Sequence, residues 1–310
     1  MPRWLWTQRQ DIGPPGRAGA CMAFDPVRGK MVLFGGDPAD PGTWEWDGQF
    51  WTQVSDMGPP PRREFGMAWD SASKCVMLFG GAVVSPGGPS PSIPTLLGDT
   101  WKWDGENWTQ VEDTGPVARF GLAVASDSSR GRVVLFGGLR YVQNTPQWLG
   151  DTWEWDGAAW TQQNETGPSS RAGHCMAFDT IRALTVLFGG AGLDFINQGD
   201  TWEWDGTTWV RVSEFGPAPR TAASLCFDGS ETVLFGGQTQ VNQNFLFVAD
   251  TWSFDGRFWT QRQDIGPGSR ASHVMDFDSG RKKVVLFGGQ GSTGAAINDT
   301  WELPGSALPA

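Results

Sequence analysis

The sequence predicts an all-β fold: a six-bladed β-propeller of four-stranded blades, closed by the N-terminal strand. Three observations carry this reading. An apolar run ending in Gly-Gly, VLFGG or MLFGG, occurs at 32–36, 77–81, 134–138, 186–190, 233–237 and 285–289. A segment close to DTWEWDG follows each run, at 42–48, 99–105, 151–157, 200–206 and 250–256, and in truncated form at 299–303. The nonapeptide WTQRQDIGP stands both at 6–14 and at 259–267.

Each unit reads as four strands. Strand a runs from an arginine to an Asp, as in RAGACMAFD and RAGHCMAFD, and strand b is the apolar run into Gly-Gly. Strand c is the Trp-x-Trp or Trp-x-Phe segment, and strand d begins at the next tryptophan. Alternation in c and d fits half-buried strands, and the Asp-Gly between them is a hairpin signal. The Gly-Gly pairs mark places where backbone and neighbouring aromatic rings approach closely. Equivalent tryptophans at 6, 51, 108, 160, 209 and 259 recur every 45–57 residues, a propeller-like period. The sixth unit holds a, b and c but no d, whereas the chain opens on an orphan d, RWLWTQR. The N-terminus is therefore expected to complete blade 6, leaving no long exposed sheet edge. The expected single domain spans 1–310, with blades at 17–54, 62–111, 119–163, 171–212, 220–263 and 270–303 plus 3–9.

The six Gly-Gly pairs and their downstream tryptophans resemble the kelch-repeat β-propellers over nearly the whole chain. Tryptophan stands where kelch proteins usually carry tyrosine, since this chain has 19 Trp and one Tyr. The resemblance implies the fold. It leaves function open among partner-binding modules, scaffolds and unrelated enzymes, because function lives in the site and not in the fold. It also implies that arginines on the b–c/d–a face take acidic peptides, as in related partner-binding propellers.

Composition narrows the partners. A formal net charge of −11 with no Lys/Arg run disfavours nucleic acid and anionic membranes. No stretch of about 18 apolar residues is present to span a bilayer. The opening MPRWLWTQRQD lacks the apolar core of a signal peptide. This reads as a cytoplasmic monomer, although a mature secreted form would look the same. Cys21, Cys75, Cys175 and Cys226 lie in apolar segments without metal-type spacing and read as small buried hydrophobes. No metal or cofactor is expected: one tyrosine cannot supply a copper-radical site, and neither histidine follows a Glu-x3-Asp-x3-His pattern.

Candidate site residues cluster on the b–c/d–a face, where connections vary most in length. An arginine precedes every strand a: Arg17, Arg62, Arg119, Arg171, Arg220 and Arg270. Together with Arg63 they are expected to form a positive spot at the central mouth, suited to an acidic peptide or small anion. The competing reading pairs them with Asp99, Asp151, Asp200, Asp250 and Asp299. In blade 1 Gly42 replaces that Asp, so Arg17 is free unless Asp37 or Asp40 reaches it. Tyr141, Trp148, Phe195, Phe245 and Phe247 in the b–c connections are candidate ligand contacts, or else cover their own blades. His174 and His273 occupy equivalent positions, and Glu64 and Asp276 break the small or apolar pattern of strand a. These four would handle protons if the protein were a cofactor-independent isomerase, lyase or cyclase acting on a sugar or other small molecule. Otherwise they are channel-side structural groups, and a ligand-free scaffold, natural or engineered, is the third reading.

Overall fold

The computed structural model describes residues 4–9, 12–37, 39–83, 93–112, 114–163, 166–241, 244–263 and 265–305. Strands b are apolar at nearly every position and sit in the middle of their sheets, so both of their faces are covered. Blade 1 joins Cys21–Asp25, Lys30–Phe34, Thr43–Trp46 and Trp51–Ser55 in antiparallel order a-b-c-d. Blades 2 to 5 repeat this order from strands a at Gly66–Asp70, Ala123–Asp127, Cys175–Asp179 and Ser224–Phe227.

Blade 6 takes its outer strand from the other end of the chain. Thr7–Gln8 pairs with Thr300–Pro304, Thr7 opposite Glu302 and Gln8 opposite Trp301. Arg3, at the edge of the expected segment, lies outside the described residues. Trp6 is 4% exposed and donates its indole N–H to Thr251 Oγ1 of blade 5 at 3.0 Å. Every strand d repeats this latch onto the preceding blade. Trp51 reaches Thr300, Trp108 reaches Thr43, Trp160 reaches Thr100, Trp209 reaches Thr152 and Trp259 reaches Thr201, at 2.8–2.9 Å. The series crosses the seam between the chain ends and closes the circle.

A second closed series runs round the inner edge. Two residues after each arginine, the backbone N–H donates to the carbonyl of the equivalent residue one blade earlier. The bonds are Glu64 to Gly19, Gly121 to Glu64, Gly173 to Gly121, Ala222 to Gly173, Ser272 to Ala222 and Gly19 to Ser272, at 2.7–2.9 Å. All six residues have positive φ, between 53° and 72°. Three are glycine, which adopts this region freely; Glu64, Ala222 and Ser272 hold it at a cost of roughly 1–3 kcal/mol each. The Gly-Gly pairs serve the same close approach. A Cβ on Gly35 would lie 2.6 Å from the Arg62 carbonyl oxygen and 2.6 Å from the Phe65 ring.

Strands a surround a central channel with two wide ends. A cavity of about 450 Å³ opens among the b–c and d–a connections, and one of about 490 Å³ opens among the a–b turns. A narrower space of about 160 Å³ lies at the level of Cys21, Met67 and Cys175 between them. Two connections expected as loops are hairpins instead. Strands b and c of blade 3 extend to Arg132–Val142 and Thr145–Trp155, and blade 5 adds Gln238–Val241 and Asn244–Phe247. Gln143 and Asn144, both with positive φ, form the two-residue turn of the first hairpin. Most of the blade 2 connection, residues 84–92, lies outside the described residues.

The closure predicts a specific loss. Trp6→Ala should destabilise the protein by about 3–5 kcal/mol, the usual cost of truncating a buried tryptophan. Deletion of residues 1–9 should cost more, because strand d of blade 6 goes with it. Denaturant unfolding of the three proteins measures this; equal midpoints would contradict N-terminal closure.

Candidate functional site

The six arginines do not form a positive spot at the mouth. Their side chains are 0–2% exposed, and each is bound to a carboxylate at 2.5–2.7 Å: Arg62 to Asp99, Arg119 to Asp151, Arg171 to Asp200, Arg220 to Asp250 and Arg270 to Asp299. In blade 1 Asp40 takes the vacant role and binds Arg17 at 2.6 Å. Each guanidinium also donates to the carbonyl of the first glycine of its Gly-Gly pair, and each carboxylate accepts the indole N–H of the first tryptophan of strand c, as in Arg119, Gly137, Asp151 and Trp153. Burial alone would raise the Asp99, Asp151, Asp200 and Asp250 carboxyls. The arginine hydrogen bonds and charges outweigh it and hold them below the usual carboxylate range. These arginines fasten strand a to the b–c corner, and each is already neutralised by a carboxylate and buried away from the mouth. Arg63 alone of the expected set is exposed, beside a shallow depression that also holds Asp37 and Gln290.

The mouth cavity is aromatic and nearly uncharged. Trp148 and Phe195 meet edge to face at 4.9 Å, and Phe245 and Phe120 contribute further rings. Trp148 is carried by the blade 3 hairpin, Phe245 by the blade 5 hairpin and Phe195 by a single 3-10 turn, Leu193–Phe195. Asn197, Gln238, Thr221 and Ser272 add neutral donors and acceptors. Tyr141 stays behind this wall, its ring stacked on Phe120 at 6.2 Å and 12°. Phe247 pairs with Gln238 at the base of its hairpin and does not line the cavity.

Among the described residues Glu64 is the one carboxyl in the mouth wall. Its left-handed backbone lifts the side chain above the amide ring, between Gly19 and Gly121, where the neighbouring blades have no side chain. No hydrogen bond or ion pair engages the carboxyl among the described residues. Burial pushes its pKa up, and the nearby charge of Arg63 opposes the shift only in part.

Both histidines line the mouth cavity, with each ring packed into the interface with the preceding blade. His174 and His273 are each 5% exposed and direct a ring carbon at the first glycine of the preceding blade, Gly137 and Gly236. Phe65 and Leu122 fill the same slot against Gly35 and Gly80. Among the described residues neither nitrogen of either ring meets hydrogen-bond geometry with a partner, each ring lying near the backbone of Phe136 or Phe235. Burial, reinforced by the charge of Arg171 or Arg270, lowers both pKa values to about 3; polar contact with the backbone of Phe136 or Phe235 opposes this weakly. The rings are therefore held neutral and add uncharged lining to the mouth.

Asp276 is not part of this site. Strand a runs from one end of the channel to the other, so a residue six positions beyond Arg270 emerges at the opposite cavity. There it accepts N–H bonds from Phe24 of blade 1 at 2.7 Å and from Phe277 at 2.8 Å. Burial still pushes its pKa up to about 6. The four cysteines are unpaired, Cys21 half-buried and the rest buried. Among the described residues there is no cluster of metal-ligating side chains, and no helix is long and apolar enough to cross a membrane.

No protein-family model and no curated protein sequence matches the chain. Its structure is similar to the solved structure of YjhT, with a TM-score of 0.77 and 14% identity over 93% of this chain and 95% of that one. YjhT is a kelch-repeat β-propeller protein. The chain has the kelch-repeat β-propeller fold. At 14% identity the likeness extends to the fold and not to the site, so the mouth of this propeller is read from its own residues.

The packing role of the histidines gives a test with two readouts. His174→Phe, which copies blade 2, should stabilise the protein by about 1–3 kcal/mol by removing two unsatisfied buried nitrogens. The unfolded chain protonates His174 near pH 6.5 and the folded chain near pH 3, so the wild type loses stability as pH falls through that window. The variant should lose less. Denaturant melts at pH 4 and pH 7 check both; a destabilised variant with an unchanged pH slope would contradict the packing role.

Proposed function

We propose that this propeller is a small-molecule-binding protein whose b–c/d–a mouth takes a neutral, polyhydroxylated ligand of the carbohydrate class. The observation that carries the reading is the unpartnered carboxyl of Glu64 at the floor of an aromatic cavity of about 450 Å³. Aromatic rings such as Trp148, Phe195 and Phe245 suit the C–H faces of a sugar ring. Asn197, Gln238, Thr221, Ser272 and Glu64 suit its hydroxyls. The volume falls within the range of small-molecule sites. An anionic ligand, which the arginines first suggested, would meet no cationic side chain among the described residues of this wall, because Arg63 lies outside it and the other six are paired with carboxylates.

One observation favours an activity at the same place. A carboxyl with a raised pKa and no partner can exchange a proton with a bound hydroxyl or carbonyl group. Glu64 is thus the residue that would act as general acid or base if the ligand is turned over.

A thermal-shift screen of monosaccharides, oligosaccharides, organic acids and acidic peptides tests the reading, since stabilisation grows with ligand concentration over Kd. Neutral sugars should raise the melting temperature and acidic peptides should not. Glu64→Gln and Trp148→Ala should each weaken the hit about ten-fold or more, equivalent to about 1.4 kcal/mol. A hit among the acidic peptides, or sugar binding indifferent to Glu64, would overturn it. Turnover of the hit that disappears in Glu64→Gln would establish the acid–base role.

A further inference from the structure

We infer that the opposite end of the channel is a second, independent ligand site, built for a small organic cation with an apolar body. The cavity among the a–b turns encloses about 490 Å³. Its wall is formed by Met22, Met67, Met176 and Met275 with aromatic residues that include Trp69 and Phe277, both half-buried and so partly presented to the opening. Methionine and aromatic side chains form an adaptable, polarisable surface, and aromatic faces attract ammonium groups.

Among the described residues Asp276 is the only carboxyl in that wall. Four other blades carry alanine at this position, Ala23, Ala68, Ala125 and Ala177, and blade 5 carries Cys226. The scaffold therefore builds the same strand without a carboxyl five times out of six. Asp276 remains half-buried, and it is fixed in place by the two backbone N–H bonds, one to each oxygen. Each oxygen keeps a second lone pair. A carboxylate held rigidly in an apolar cavity without a side-chain cation is a poor solution for stability and a good one for recognising a single positive charge. Among the described residues Lys282, exposed at the edge of the opening, is the one cationic side chain that lines the cavity, and it works against such a ligand; Arg28, Arg130, Arg182 and Arg281 of the same turns are each paired with a carboxylate.

Trp69 is the second departure from the repeat. It stands where Phe24, Phe178, Phe227 and Phe277 stand in other blades, and tryptophan is the strongest cation-binding ring. Both departures, one carboxyl and one larger ring, fall in the same cavity.

The test uses the full-length protein and isothermal titration calorimetry with benzyltrimethylammonium and its uncharged isostere neopentylbenzene. The ammonium should bind at least ten-fold more tightly than the isostere. Asp276→Ala should abolish that preference, Trp69→Phe should weaken ammonium binding several-fold, and Lys282→Glu should strengthen it. The first two variants copy residues from other blades, and the third changes an exposed side chain; melting curves confirm that each is folded. Glu64→Gln, at the far mouth, should leave the titration unchanged. Absence of binding, equal affinity for the isostere, or indifference to both Asp276→Ala and Lys282→Glu would overturn the inference. So would loss of binding in Glu64→Gln, which would put the probe at the other mouth.

Discussion

The closed ring of six backbone hydrogen bonds around the inner edge is the constraint on which the rest of the molecule depends. Each bond joins two blades, and the sixth, from Gly19 to Ser272, joins the first blade to the last. To complete the circle every blade must present one residue with left-handed backbone at the same height. The arginine two residues earlier fixes that height. Its guanidinium is tied to the Gly-Gly corner and to a strand c carboxylate, and its own carbonyl accepts the N–H of the second glycine of the preceding blade, as Arg62 does from Gly36. The indole-to-threonine latches repeat the closure further out. Cooperative stability in this chain therefore comes from geometry repeated six times more than from any single contact.

Both proposed sites lie where the repeat departs from its own pattern. At the ring position, glycine would serve everywhere, yet blade 2 carries glutamate at the cost of backbone strain. The flanking Gly19 and Gly121 leave its side chain room. The two hairpins and the short helical turn line the same cavity with rings and carboxamides. Asp276 and Trp69 are departures of the same kind at the other end. The fold supplies a channel with two openings, and on the proposals made above a small number of substitutions on strand a and in the b–c connections set what each opening would bind.

Much of the fold was legible in the sequence because the features that define it are local and repeated. Gly-Gly, Asp-Thr-Trp and the orphan WTQR strand each announce a fixed structural role, and the missing strand d of blade 6 could be matched to Trp6 by identity alone. The pairing of the arginines was visible only as an alternative. Five aspartates stand in register, but Asp40 replaces the sixth from a different position in its loop, and a positive mouth remained open until all six pairs could be seen. The amide ring was not legible at all, since it bonds residues about fifty positions apart through backbone atoms. For the same reason Glu64 looked like one anomaly among several, and Asp276 looked like its neighbour. Phe120, Thr221 and Ser272 were missed at the mouth. They sit at the first two positions after the arginine, which could have been compared blade by blade as the histidine position was. The histidines misled because a rare residue at equivalent positions suggests chemistry, whereas Phe65 and Leu122 in the same column were the signal that the slot is for packing.

The ring can be tested directly by native-state hydrogen exchange at the amides of Gly19, Glu64, Gly121, Gly173, Ala222 and Ser272. If the ring is the closing constraint, all six amides should be strongly protected and should exchange together in one global opening, Gly19 at the seam included. Fast exchange of Gly19 while the other five remain protected would show a propeller that opens at its seam, and would contradict the account.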